Sequence, residues 1–106
     1  MSVKKSDWKL FMERLPEWQE RFMGKLNQEY IQLLSRDLDP SENFWELERR
    51  IREDKRLLGV RMELNKGNMT FDLMRLLHDG VIEKEDLADF SQELQDEVSI
   101  LEERFR

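Results

Sequence analysis

Carboxylates spaced three residues apart are the side chains whose type and spacing come closest to a chemical function. Such pairs occur at Glu17/Glu20, Asp39/Glu42, Glu83/Asp86, Asp86/Asp89 and Glu93/Asp96. Residues three apart share one face of a helix, and paired carboxylates supply the oxygen ligands that Mg²⁺ prefers. The chain has 24 acidic residues in 106 positions, so random placement alone yields about this many pairs. The pairs leave a metal-dependent hydrolase as an alternative hypothesis.

One combination of these pairs resembles a known arrangement. Glu17/Glu20 and Glu93/Asp96 are similar to the E-x-x-E and E-x-x-D pairs of all-α nucleotide pyrophosphohydrolases, which hold Mg²⁺ between neighbouring helices. The two pairs lie far apart in this sequence. The resemblance therefore implies a metal site only if folding brings the two helices together. Because the pairs are no more frequent than chance, we expect no cofactor.

Other candidate sites lack essential residues. The segment 79–87 resembles the second half of an EF-hand calcium loop, but the first and third ligand positions fall on Arg75 and Leu77. Neither side chain offers an oxygen ligand. His78 is the only histidine, there is no cysteine, and the glycines are too scattered to form a phosphate-binding loop. We therefore expect no enzymatic activity.

Composition limits the partners. Eighteen basic and 24 acidic residues give a net charge of −6, which disfavours general binding to nucleic acid. The longest run without a charged residue covers only positions 30–35, and the first residues have no apolar signal-peptide core. We expect a cytoplasmic protein that does not associate with membranes, and we infer no small-molecule ligand.

Hydrophobic periodicity predicts an all-α fold with about five helices, two short and three long, and no strand. A short first helix is capped by Ser6 and ends before Pro16, with a single helix kinked at Pro16 as the alternative. The second helix continues to about position 34. Gly24 within it indicates a close helix crossing.

The central helix has the clearest start signal. Asp39 is the predicted N-cap, proline follows at the first helical position, and Glu42 can complete a capping box. The predicted helix runs to Leu64, and Gly67 is the predicted left-handed residue after it. Within it, the spacing predicts ion pairs four residues apart, at Glu46/Arg50 and Glu48/Arg52.

The short fourth helix is capped by Asn68 or Thr70 and ends at Gly80, and the last helix starts from a cap at Glu83. Six apolar residues form the stripe of the last helix: Leu87, Phe90, Leu94, Val98, Leu101 and Phe105. Ordering this helix costs more than burying these side chains returns, so it needs packing partners. We predict one helical bundle over residues 1–106, with dimerisation as one way to complete its core.

Charge is distributed unevenly along the chain. Positions 49–61 hold six basic and two acidic residues, whereas positions 79–103 hold ten acidic residues and one lysine. The favoured interpretation is that these two segments attract each other, within one chain or across a dimer. A free basic face would instead contact an acidic partner, and a free acidic face would make the protein an acidic inhibitor or a nucleic-acid mimic.

These observations favour a small helical protein that binds another protein or itself. Two groups of side chains are candidates for the contact. One is the arginine-rich face of the central helix, and the other is a pair of tryptophans, which are frequent interface anchors. The candidate residues are Arg49, Arg52, Arg56, Trp8 and Trp18.

Overall fold

The computed structural model describes residues 3–105 and confirms the all-α prediction. Over these residues the chain forms four α-helices and two short 3-10 turns, rather than five helices. The α-helices are α1 (Lys5–Leu34), α2 (Pro40–Asp54), α3 (Met69–His78) and α4 (Gln92–Arg104). The 3-10 turns cover Lys66–Asn68 and Lys84–Leu87. Within this range no helix has the length and apolar character needed to span a membrane.

Helix α1 is continuous through Pro16, so the predicted break there is wrong. Proline removes one hydrogen bond from the helix. The apolar stripe keeps its phase across that point, and the buried residues Leu15 and Trp18 on either side hold both halves against the same core. The predicted Ser6 cap is also wrong, because Lys4 is the N-cap and the helix begins at Lys5.

Helix α2 begins where the sequence predicts but ends ten residues early, at Asp54 rather than Leu64. Asp39 is the N-cap and Pro40 the first residue, although the Asp39 side chain makes no capping hydrogen bond. The apolar stripe lapses at Asp54, and the chain after it turns back towards α1. There the side-chain amide of Gln19 donates a hydrogen bond to the carbonyl of Leu58, at 2.9 Å.

Gly59 makes the close approach that the sequence assigned to Gly24. A Cβ on Gly24 would meet nothing within 4 Å, so no crossing occurs there. A Cβ on Gly59 would lie 2.7 Å from Val81 and still closer to the ring of Phe22. Gly67 is likewise not left-handed; over residues 3–105 the only positive φ belongs to Gly80, at 74°, where α3 was predicted to end.

The last helix starts later than predicted. Glu83 does form a capping box with Asp86, but it caps only the 3-10 turn. Helix α4 starts after Ser91, whose hydroxyl accepts a hydrogen bond from the Leu94 N–H at 3.2 Å. The predicted stripe is buried through Val98, and its last member, Phe105, is exposed.

One apolar core unites the amino-terminal two-thirds of α1 with α3, the second 3-10 turn and α4. Its members are Phe11, Leu15, Trp18, Phe22, Leu26, Met69, Leu73, Met74, Leu76, Val81, Ile82, Leu87, Phe90, Leu94 and Val98. No residue of α2 belongs to it. The molecule is correspondingly elongated, 53 × 27 × 22 Å, with α2 lying along the carboxyl-terminal part of α1.

Candidate interaction surface

Helix α2 is fixed to α1 by polar contacts. At the corner between them, the Arg36 guanidinium donates to the side-chain oxygen of Asn43 at 3.0 Å, and the Asn43 amide donates to the Arg36 carbonyl at 3.1 Å. Asn43 is the only residue of α2 that is buried. The start of α2 is therefore held by a pair of hydrogen-bonded polar side chains, Arg36 and Asn43.

The same polar character continues along the contact. Arg50 donates to Glu29 on α1 at 3.0 Å and lies over the Tyr30 ring, 5.8 Å from its centroid. The Tyr30 hydroxyl donates to Asp54 at 2.5 Å. Burial of the phenol, together with this hydrogen bond, raises the pKa of Tyr30 to about 12. The hydrogen bond to Glu29 likewise raises the pKa of Arg50.

A different face of α2 is apolar and open. Phe44 and Trp45 are 61% and 63% exposed, and their rings pack edge to face at 4.9 Å. Residues at helical spacing from Phe44 form a groove of about 290 Å³ along this face, lined by Phe44, Leu47, Glu48, Ile51, Arg52 and Lys55. A second groove, of about 360 Å³, joins the first at Ile51 and Lys55 and runs between α2 and α1 to Val60.

Most of the predicted basic residues line or flank this face. Arg49 pairs with Glu46 and with Glu53, the latter at 2.6 Å. Arg52 pairs with Glu48 as predicted. The predicted Glu46–Arg50 pair is wrong, because Arg50 is drawn to Glu29 and Asp54 instead. Arg56 is exposed just beyond the end of the helix.

The tryptophans are placed differently from the prediction. Trp18 is 3% exposed in the core and presents no surface to a partner. Trp8 is half-buried and packs on Phe11 at 5.8 Å. The exposed indole belongs to Trp45, which was not among the predicted contact residues. Its place next to Phe44 on a helix otherwise rich in charge made Trp45 a candidate, but did not show which tryptophan would be exposed.

In the described part of the chain, the arginines of α2 form their ion pairs with acids of α2 and α1 and not with the acidic carboxyl-terminal segment. Three of its acids instead contact the amino-terminal part of the chain: Glu93 with Lys4, Asp89 with Arg14 and Asp86 with Arg21. Attraction between α2 and this segment within one chain was the wrong part of the charge prediction. Three of the ten acids of the segment are paired in this way, and most of the charged side chains of α2 remain exposed.

The carboxylate pairs do not assemble into a metal site. Over residues 3–105, no group of three or more acidic or histidine side chains is arranged to hold a metal ion. Glu17 and Glu20 therefore do not converge with Glu93 and Asp96. The acids of the EF-hand-like segment act in the 3-10 turn, where Glu83 and Asp86 cap each other.

Comparisons with protein-family models, with curated proteins and with solved structures found no match to this chain.

Proposed function

We propose that this protein binds another polypeptide through the apolar face of α2, here defined by Phe44, Trp45, Leu47 and Ile51. The supporting observation is that α2 turns its polar face towards α1 and leaves two large aromatic side chains more than 60% exposed. Adjacent exposed aromatic residues on a fixed helix are typical anchors of protein interfaces. The proposal assigns no catalysis, and it includes the cytoplasmic location that the sequence favours.

The groove indicates the chemistry of the partner. Its floor is apolar and follows one helix, a shape that an amphipathic helix fills with residues spaced three and four apart. Its rim carries Arg52 and Lys55 towards one end and Glu48 nearer the middle. The occupant we propose is therefore an amphipathic helix whose acidic residues lie opposite Arg52 and Lys55.

Affinity capture from the native host tests this proposal. The bait is the full chain, compared with a Phe44→Asp/Trp45→Asp double variant and with Ile100→Asp. Ile100 is a matched control because it is equally an exposed apolar residue, 54% exposed, but lies on α4. We expect a captured chain that is lost with the double variant, retained with the control, and bound directly when purified.

Circular dichroism establishes that each variant is folded, which we expect because all three side chains are exposed. A captured set that does not change in the double variant would overturn the proposal, and so would the absence of any captured chain.

A further inference from the structure

The charges of α2 are segregated along its length. Positions 39–48 hold four acidic residues and no basic residue, whereas positions 49–56 hold five basic and two acidic residues. Arg50 and Asp54 are turned towards α1, but most of the other charged side chains are exposed. Glu48 and Arg52 line the open groove, and Arg49 is half-exposed. An amphipathic helix with this polarity is complementary to a copy of itself that runs in the opposite direction.

We propose that the occupant of the groove is α2 of a second copy, paired antiparallel about a two-fold axis near Leu47 and Glu48. This inference rests on the proposed function and names its partner. The two-fold axis places each acidic half against a basic half, so the favourable contact is made twice. A parallel pair would instead place like charges together over the whole helix.

The apolar residues fit the same arrangement. Phe44 and Ile51 lie on either side of the axis, so each Phe44 would pack on Ile51 of the partner subunit. The Phe44 ring of each copy thereby enters the groove of about 290 Å³ on the other copy. The polar contacts of Asn43, Arg50 and Asp54 with α1 lie on another face and remain intact. The pairing therefore requires no rearrangement of α2 against α1.

The pairing also gives the basic end of α2 an acidic partner. Asp89 and Asp86 of the acidic carboxyl-terminal segment pair within the chain with Arg14 and Arg21 of α1. The basic end of α2 has ion-pair partners only on α2 and α1 among the residues that the structure describes. The acidic start of α2 in a second copy supplies negative charge to this basic end, and the acids of α4 are not needed for the contact.

Cysteine cross-linking tests both the dimer and its direction. The chain has no native cysteine, so single substitutions report unambiguously. Ser41→Cys and Lys55→Cys are both exposed and lie on the same face of α2 at opposite ends. In the antiparallel pair residue 41 faces residue 55. Mixing the two variants under mild oxidation should give the mixed disulfide, with little of either homodimer.

Sedimentation equilibrium measures the association itself. We expect the native chain to be a reversible dimer whose Kd rises about a hundredfold or more in Phe44→Asp, because the substitution acts at both symmetric contacts. Ile100→Asp should leave the Kd unchanged. Charge reversal provides a second pair of variants. One variant carries basic residues in place of the acids at positions 42, 46 and 48, and the other carries acidic residues in place of the bases at positions 49, 52 and 56. Neither variant should self-associate, whereas a mixture of the two should form a heterodimer.

Two outcomes overturn the inference. The first is a native chain that stays monomeric at several hundred micromolar. The second is a dimer that Phe44→Asp does not weaken, or that gives symmetric 41–41 and 55–55 disulfides. A monomer that still captures a different protein through Phe44 and Trp45 would leave the proposed function standing and remove only this inference. A monomer that captures nothing would remove both.

Discussion

Asp7 ties the start of α1 to the start of α4, and its removal should be among the most damaging single substitutions in the chain. The side chain is 4% exposed. One carboxylate oxygen accepts from the Ser91 N–H at 2.9 Å, and the other accepts from the Ser91 hydroxyl at 2.6 Å. That same hydroxyl caps α4 by accepting from the Leu94 N–H. One carboxylate therefore joins the starts of two helices, through residues that are 84 positions apart in the sequence.

The expected loss for Asp7→Ala follows from these bonds. Each hydrogen bond to a charged acceptor contributes about 1.5–3 kcal/mol, less the cost of keeping the carboxylate away from water. Misorientation of the Ser91 cap adds about 0.5–1 kcal/mol. We expect the free energy of unfolding to fall by about 2–4 kcal/mol, a large part of the 5–15 kcal/mol typical of a domain.

Urea unfolding followed by far-ultraviolet circular dichroism measures this loss. With a slope of about 1–2 kcal/mol per molar urea, the midpoint should fall by about 1–4 M. Asp37→Ala, which removes an exposed acid, is the control and should change the midpoint little. A double-mutant cycle with Ser91→Ala should give a coupling of at least about 1 kcal/mol. A loss below about 1 kcal/mol, or additive effects in the cycle, would refute the reasoning.

Three further predictions concern packing and pH. Gly59→Ala should destabilise the fold by about 1–3 kcal/mol in thermal unfolding, because its Cβ would collide with Phe22 and Val81; an unchanged Tm would contradict this. Tyr30, the only tyrosine, has a pKa raised to about 12. Its contribution to the free energy of unfolding is therefore complete below pH 10 and is lost as the pH rises through 12. Phenolate absorbance that appears near pH 10 in the folded protein would disprove this prediction. Burial opposes ionisation of Asp86, but hydrogen bonds from Arg21 and from a backbone N–H lower its pKa overall. Its contribution is present above the ordinary carboxyl pKa near 4 and lost as the pH falls through the lowered value, so Asp86→Asn should flatten acid unfolding, and an identical acid profile would rule this out.

The spacing of apolar residues predicted the fold class and much of the core. Phe11, Trp18 and Leu94 were assigned to helix stripes, and all three are buried. The start of α2 at Pro40 and the end of α3 at Gly80 were also correct, since a proline and a glycine restrict or free the backbone at their own positions. Such signals depend on local geometry and can be read from the sequence.

The candidate surface was predicted only in part. The sequence placed arginines on the central helix but could not distinguish Trp18, which the core takes up, from Trp45, which it leaves exposed. Both tryptophans stand in amphipathic segments. Which of them is buried depends on where α3 and α4 pack along α1, and that is not a property of either segment alone.

The sequence by itself determined that this protein is helical, charged and built on apolar stripes that need partners, because periodicity and composition act residue by residue. Only the tertiary structure decided which stripes find partners within one chain. Packing carried α1 through Pro16 and gave Gly59 the close contact expected at Gly24. Packing also placed Asp86 and Asp89 of the acidic segment beside Arg21 and Arg14 of α1, because these parts of the chain share the core. Helix α2 lies outside that core, so its apolar face and its segregated charges remain at the surface.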